Sequence, residues 1–375
     1  MKCIVLLLIT VVFTTCSKPT TNPETRESRL GLLWSYFTEY SSAPSAEPII
    51  ENNHIYITGG PGMHKVDYTT GTRIWFSKYE GSASSLRNYG FTHNDALVVG
   101  MIPNTIIGFK KNDGEIKWQT SIPDTVDLYT IAVSQQFNNI SYHSSSRSGY
   151  LFAVSMETGE VLWYHKFASN FVMREILIFE NGDLLIPHEE RFYEETYSYN
   201  AYMGRWRPST NEWVWRYQLN GGGSFNVLYP EIENNIVYSG LTNAGFIAIN
   251  ATTGQEIWKT IKTGLITGFH VLTPDTIYAS ALNFLYALDR HTGVILWETE
   301  PMGISESTRI HYKNGYVYWC HNNGIFIYDA KTGKQVHYQR HEYGGYIWTS
   351  TMAEDRLLVQ TSTHLLAYEL FNPEE

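Results

Sequence analysis

A chain of 375 residues that is 43% hydrophobic can bury a substantial core. Charged residues make up 17% against 15% aromatics, a balance that favours ring-rich strands over charged helices. The formal charge of −10 opposes attraction to phosphate backbones and anionic lipid heads, so nucleic acid is not an expected partner.

The first segment, residues 1–16, carries one Lys and then an apolar run from Ile4 to Phe13 that is too short to cross a bilayer as a helix. It reads as an export signal. Its end, "FTTC", resembles a loose bacterial lipobox, which makes Cys16 the expected lipidated residue and mature N-terminus. Phe13 and Thr15 depart from the strict pattern, and ordinary secretion with cleavage nearby is the alternative. Residues 17–29 are polar and Pro-containing, as suits a flexible tether. The expected location is the bacterial cell envelope facing the periplasm, with membrane contact through the anchor only. Beyond Cys16 the lone thiol is Cys320, so folding is expected to rely on packing rather than on an internal disulfide.

From residue 30 onward the sequence repeats. A Gly-x-x-x-Trp phrase places its last position at Trp34, Trp75, Trp118, Trp163, Trp215, Trp258, Trp297 and His337, at intervals of about 40 to 50 residues. That period fits four-stranded propeller blades. Within each unit an Asn, Asp and Gly cluster precedes a short β-branched or aromatic run, as in "ENNHIYITG" from Glu51 and "ENNIVYSG" from Glu233. A unit therefore reads strand, Asn/Asp turn, strand, loop, strand ending in Asp or Asn, Thr-Gly turn, strand bearing Trp. The Asp or Asn can accept bonds from backbone N–H groups ahead of it, and Gly supplies the left-handed turn conformation. Asn211 replaces that Gly in one copy and tolerates the same conformation. The Trp residues are expected on the outer strand of each blade, packed against the next.

The fold expected is all-β: a single eight-bladed propeller of four-stranded antiparallel blades over residues 30–375. The first piece, "LGLLWSYF" from Leu30, holds only a Trp-bearing fourth strand, and the last, from Tyr346, holds three strands and no fourth. Pairing the two would close the ring and hide its sheet edges.

The longest interval, Trp163 to Trp215, contains an acidic, Tyr-rich insertion, "HEERFYEETYSYNAYMGRW", between the second and third strands of its blade. An elongated hairpin is the simple reading. An interaction loop is the functional one, with Glu189, Glu190, Phe192, Tyr193, Tyr197, Tyr199 and Tyr202 as the candidate partner-binding residues, flanked by Glu194 and Glu195.

The phrase Ala-x-Asp/Asn-x-x-Thr-Gly-x-x-x-Trp, as in "ALDRHTGVILW" from Ala287 and "AINATTGQEIW" from Ala248, resembles the tryptophan-docking motif of PQQ-like propeller repeats. That resemblance implies the architecture more than an activity, because such repeats occur in quinoprotein dehydrogenases and in BamB-type outer-membrane assembly lipoproteins. The dehydrogenase pattern implies a disulfide of adjacent cysteines and long interblade insertions, and this sequence has neither. No catalytic, cofactor-binding or metal-ligating residue is assigned: His311, His321, His337 and His341 lack a ligand spacing, and Cys320 and His321 point to opposite faces of a strand. The expectation is a non-enzymatic, monomeric envelope scaffold that binds partner proteins through its rim loops, with a part in outer-membrane protein assembly implied by the resemblance. The alternative is a central-channel site for PQQ with a metal, or for a sugar-like ligand.

Overall fold

A computed structural model describes residues 30–41, 46–79, 91–102, 104–122, 135–145, 148–173, 176–193, 197–219, 230–241, 245–261, 267–281, 284–299, 309–321, 324–341, 343 and 345–373. Residues 1–29, on which the expected export signal, Cys16 and the expected tether fall, lie outside the described residues. Eight antiparallel sheets follow one another along the chain and form an eight-bladed β-propeller. Blades 1 to 7 span residues 49–78, 92–121, 135–166, 171–219, 231–261, 267–298 and 310–340. Blade 8 takes three strands from the end of the chain, Ile347–Met352, Arg356–Thr361 and His364–Glu369, and its fourth, Leu32–Phe37, from the beginning. That pairing runs from Leu32↔Tyr368 to Phe37↔His364, so the ring closes as the two complementary fragments require. In blade 4 the innermost position is filled by two short strands, Phe171–Met173 and Leu177–Ile178, both paired with Leu184–Tyr193.

The turns explain the spacing of the repeat. Asn52 and Asn53, Asn138 and Asn139, and Asn234 and Asn235 all take positive φ, the two-residue geometry that joins strands one and two of a blade tightly. At the third turn of blade 1, Asp67 Oδ1 accepts from the N–H groups of Thr69 and Thr70 at 2.9 and 2.8 Å, and Gly71 N–H donates to Asp67 O at 2.9 Å. Asn211 holds φ 57° where its counterparts are Gly at 70–79°. Asn211→Gly is therefore expected to change stability by only a few tenths of a kcal/mol, whereas Asn211→Val, branched at Cβ, should lose about 1–3 kcal/mol. Urea denaturation of the two variants checks this, and equal losses would contradict it.

Each fourth strand then carries a bulge at the residue before its Trp, for example between Gly108↔Trp118 and Phe109↔Ile116, which turns the indole out of its own sheet. Six of the docking tryptophans donate Nε1–H to a backbone carbonyl of the next blade: Trp34 to Tyr68, Trp75 to Lys111, Trp118 to Met156, Trp215 to Ala251, Trp258 to Arg290 and Trp297 to Ala330, at 2.9–3.2 Å. Their rings lie against the turn glycine of that blade, so closely that a Cβ on Gly159 would stand 2.6 Å from the Trp118 ring. Trp163, facing the turn with Asn211, meets the ring of Trp206 instead, 6.1 Å between centroids. His337 ends the series for a structural reason: the turn it would dock against is replaced in blade 8 by the two chain ends. Its ring packs on Phe371 at 5.6 Å, and Gln339 Oε1 accepts from Leu30 N–H at 2.6 Å.

The core is divided accordingly. Eight apolar clusters occupy the seams between neighbouring blades, such as Val99 and Ile106 with Phe152 and Val154 between blades 2 and 3. Cys320 is fully buried in the seam between blades 7 and 8, where burial pushes its thiol up to about 12. It is a packing residue. His321 is buried as well, with its ring edge-on to Trp319 at 5.4 Å.

Candidate functional site

In each antiparallel blade the end of strand two and the start of strand three lie on one face of the ring, and the Asn and Thr-Gly turns lie on the other. The blade 4 insertion belongs to the first face. It extends the second and third strands to Leu184–Tyr193 and Tyr197–Arg207, ten and eleven residues where most such strands have six. Flanking strands support it only as far as Phe171↔Glu190 on one side and Ala201↔Leu219 on the other. Beyond them the rungs Arg191↔Tyr199, Phe192↔Ser198 and Tyr193↔Tyr197 have no further strand partner among the described residues. Arg191 N–H still donates to Asn170 O at 2.9 Å, which ties down the base of the ribbon. Three rungs at roughly 3.3 Å each project about 10 Å. Residues 194–196, with Glu194 and Glu195, lie outside the described residues.

The root of this ribbon is a stack of rings. His188 is buried with its ring 4.2 Å from Phe171, 5.0 Å from Trp213 and 5.2 Å from Tyr202. Its Nδ1–H donates to Ile186 O at 2.9 Å, leaving Nε2 to accept from Arg216 Nη2 at 2.9 Å. Burial pushes His188 down to about 3, with the Arg216 charge acting in the same direction, so the imidazole is neutral at physiological pH. The Arg216 guanidinium lies 4.1 Å from the Tyr202 ring and pairs with Glu190 at 2.5 Å. Glu189 is buried on the opposite side of the strand, paired with Arg191 at 2.8 Å through Oε2 while Oε1 has no hydrogen-bond partner.

The candidate residues thus separate. Phe192 is exposed, at 36%. Glu190 is partly exposed beside Arg216. Tyr202 stacks at the root, and Tyr199 packs against the seam between blades 4 and 5. Glu189, expected on the surface, is 1% exposed, because the alternation of the strand turns it inward opposite Val172. Arg216, Trp213 and Phe171 are essential to the same arrangement and carry no motif of their own; their positions facing the insertion across two register pairs are the signal that could have found them.

The seven docking tryptophans are on outermost strands and engaged between blades, so they do not form a floor for a planar cofactor in the channel. Among the described residues no group of three His, Cys, Asp or Glu is placed to hold a metal ion.

An eight-bladed ring closed by its two ends and welded by indole-to-turn docking defines a PQQ-like repeat propeller. The chain belongs to the family described as outer membrane protein assembly factor BamB, whose model matches residues 31–185 and 194–370. It is similar to the outer membrane protein assembly factor BamB of Salmonella typhimurium, 26% identical over 141 residues, which cover 35% of this chain and 33% of that protein. It is also similar to tetrathionate hydrolase of Acidithiobacillus ferrooxidans, 24% identical over 212 residues, 52% of this chain and 41% of the hydrolase. Each alignment covers less than half of the relative's own length. Among solved structures, BamB from Moraxella catarrhalis superposes with a TM-score of 0.70 at 13% identity, over 91% of this chain and all of that one, a likeness of fold.

Proposed function

We propose that this protein is a non-catalytic scaffold of the cell envelope, anchored through Cys16, that serves outer-membrane protein assembly by docking an extended segment of a partner protein on the blade 4 hairpin. The observation that carries this reading is the tip of the ribbon, where Phe192↔Ser198 and Tyr193↔Tyr197 pair with each other and with no flanking strand among the described residues, beside the exposed Phe192. An open edge can accept a further strand through backbone hydrogen bonds, with side-chain pockets adding selectivity. Family membership supports the assembly role. The charged and imidazole groups at the root favour binding over chemistry, since Glu190 with Arg216, Glu189 with Arg191 and His188 with Ile186 are already engaged in holding the ribbon.

Complementation in a deletion strain of the native host tests the proposal. Phe192→Asp is expected to leave folded outer-membrane proteins depleted, while Leu296→Asp, at an exposed outer-strand position of blade 6, restores them. Equal restoration by both variants would remove the hairpin from the mechanism.

A further inference from the structure

Blades 1 to 7 are each drawn from one stretch of chain, and the chain itself joins each blade to the next. Only inside blade 8 is there a break that the chain does not span, where Leu32–Phe37 meets His364–Glu369. Parting there would leave Leu32–Phe37 with blade 1 and the other three strands with blade 7. The two strands are the fourth and third of their blade, so their ladder closes the ring toward its rim. A ring held at its rim alone can still hinge open at its axis.

A second closure lies at that axis, independent of the hairpin. The first strands of blades 6, 7 and 8, Thr267–Leu272, Ile310–Lys313 and Ile347–Met352, lie against one another, so residues leading into first strands converge on the channel. Glu47 stands two residues before the first strand of blade 1, and Arg309 one residue before that of blade 7. Their side chains form an ion pair that reaches past blade 8. The Arg309 guanidinium also lies over the Phe269 ring of blade 6 at 4.9 Å. Other contacts cross the same break but touch blade 8 itself: Gln360 Nε2 donates to Thr58 O at 2.8 Å, and Arg356 Nη1 to Tyr68 O at 2.7 Å. They hold blade 8 to blade 1. The Glu47 and Arg309 pair ties blade 1 to blade 7 directly, so it resists parting wherever within blade 8 the ring gives way.

We propose that Glu47 and Arg309 form an axial latch that gates opening of the ring at blade 8. With the ladder between Leu32–Phe37 and His364–Glu369 it supplies closure at two radii, one near the channel and one near the rim. Both side chains are partly exposed, at 33% and 28%, so the pair can separate without unfolding either blade. Partial exposure also sets the size of its effect: a solvated pair changes the population of an open form by a few-fold rather than by orders of magnitude. The latch therefore acts on local opening at blade 8 and leaves distant blades alone.

Hydrogen–deuterium exchange of the full chain, read by mass spectrometry where exchange follows the open population, tests the latch. Glu47→Gln and Arg309→Gln each remove one charge and keep a polar side chain. Either is expected to speed exchange in Leu32–Phe37 and His364–Glu369 by about three- to fivefold, with blade 3, residues 135–166, unchanged. The double variant should exchange no faster than the quicker single one, since its second substitution removes a partner already lost. Unaltered exchange in the two strands in both single variants, equal acceleration in blade 3, or a double variant whose acceleration is the product of the two singles would each overturn the proposal.

Discussion

Replacing Trp118 by alanine is expected to lower unfolding stability by about 3–5 kcal/mol, read as a fall in the urea midpoint. The indole is 9% exposed, fills the seam between blades 2 and 3 with Leu97, Val99, Ile106 and Phe152, and donates to Met156 O at 2.9 Å. Truncation removes the packing and the hydrogen bond together, and the rigid turn at Gly159, held at φ 78°, is poorly placed to collapse into the space. Trp118→Phe should retain most of the packing and lose about 1 kcal/mol for the bond. A loss below 1 kcal/mol in the alanine variant would show that docking does not hold this seam.

Removing the first strand should have a still larger effect. A chain beginning at residue 39 lacks Trp34, whose indole donates to Tyr68 O, and Tyr36, whose hydroxyl donates to His64 Nδ1 at 2.8 Å across the seam between blades 8 and 1. Those two side chains alone represent about 5 kcal/mol or more. The strand His364–Glu369 would then become an open edge, and aggregation is the expected companion. A synthetic peptide of residues 30–41 should restore the melting temperature in a concentration-dependent manner, since it binds only the folded ring. A truncated chain as stable as the full one would mean that the ends do not close the propeller.

The repeat made most of this fold legible because its signals are local. Asp67 to Gly71, Asn52 with Asn53, and the indole four residues past each turn glycine lie within a few residues of one another, where steric and hydrogen-bond rules act directly. Closure was legible for a different reason: the two terminal fragments are complementary in strand count. What His337 does depends on its neighbour, and only the meeting of the chain ends in blade 8 shows why no indole is needed there. In the hairpin, composition revealed an insertion but not which side chains it buries. The inward turn of Glu189 and the packing of Tyr199 are fixed by strands Phe171–Met173 and Glu212–Leu219, brought alongside by the fold. The ion pair at the ring axis was illegible altogether, since Glu47 and Arg309 stand at opposite ends of the chain and only the closure of the ring brings blades 1 and 7 to either side of blade 8.

The division of the apolar interior into eight seams carries an evolutionary consequence. In a body with one continuous centre, lengthening a strand shifts every layer packed upon it. Here each joint is sealed by its own rings and its own indole, so a segment such as Leu184–Tyr193 can grow outward while the remaining joints keep their registers. New recognition surfaces can therefore arise one blade at a time.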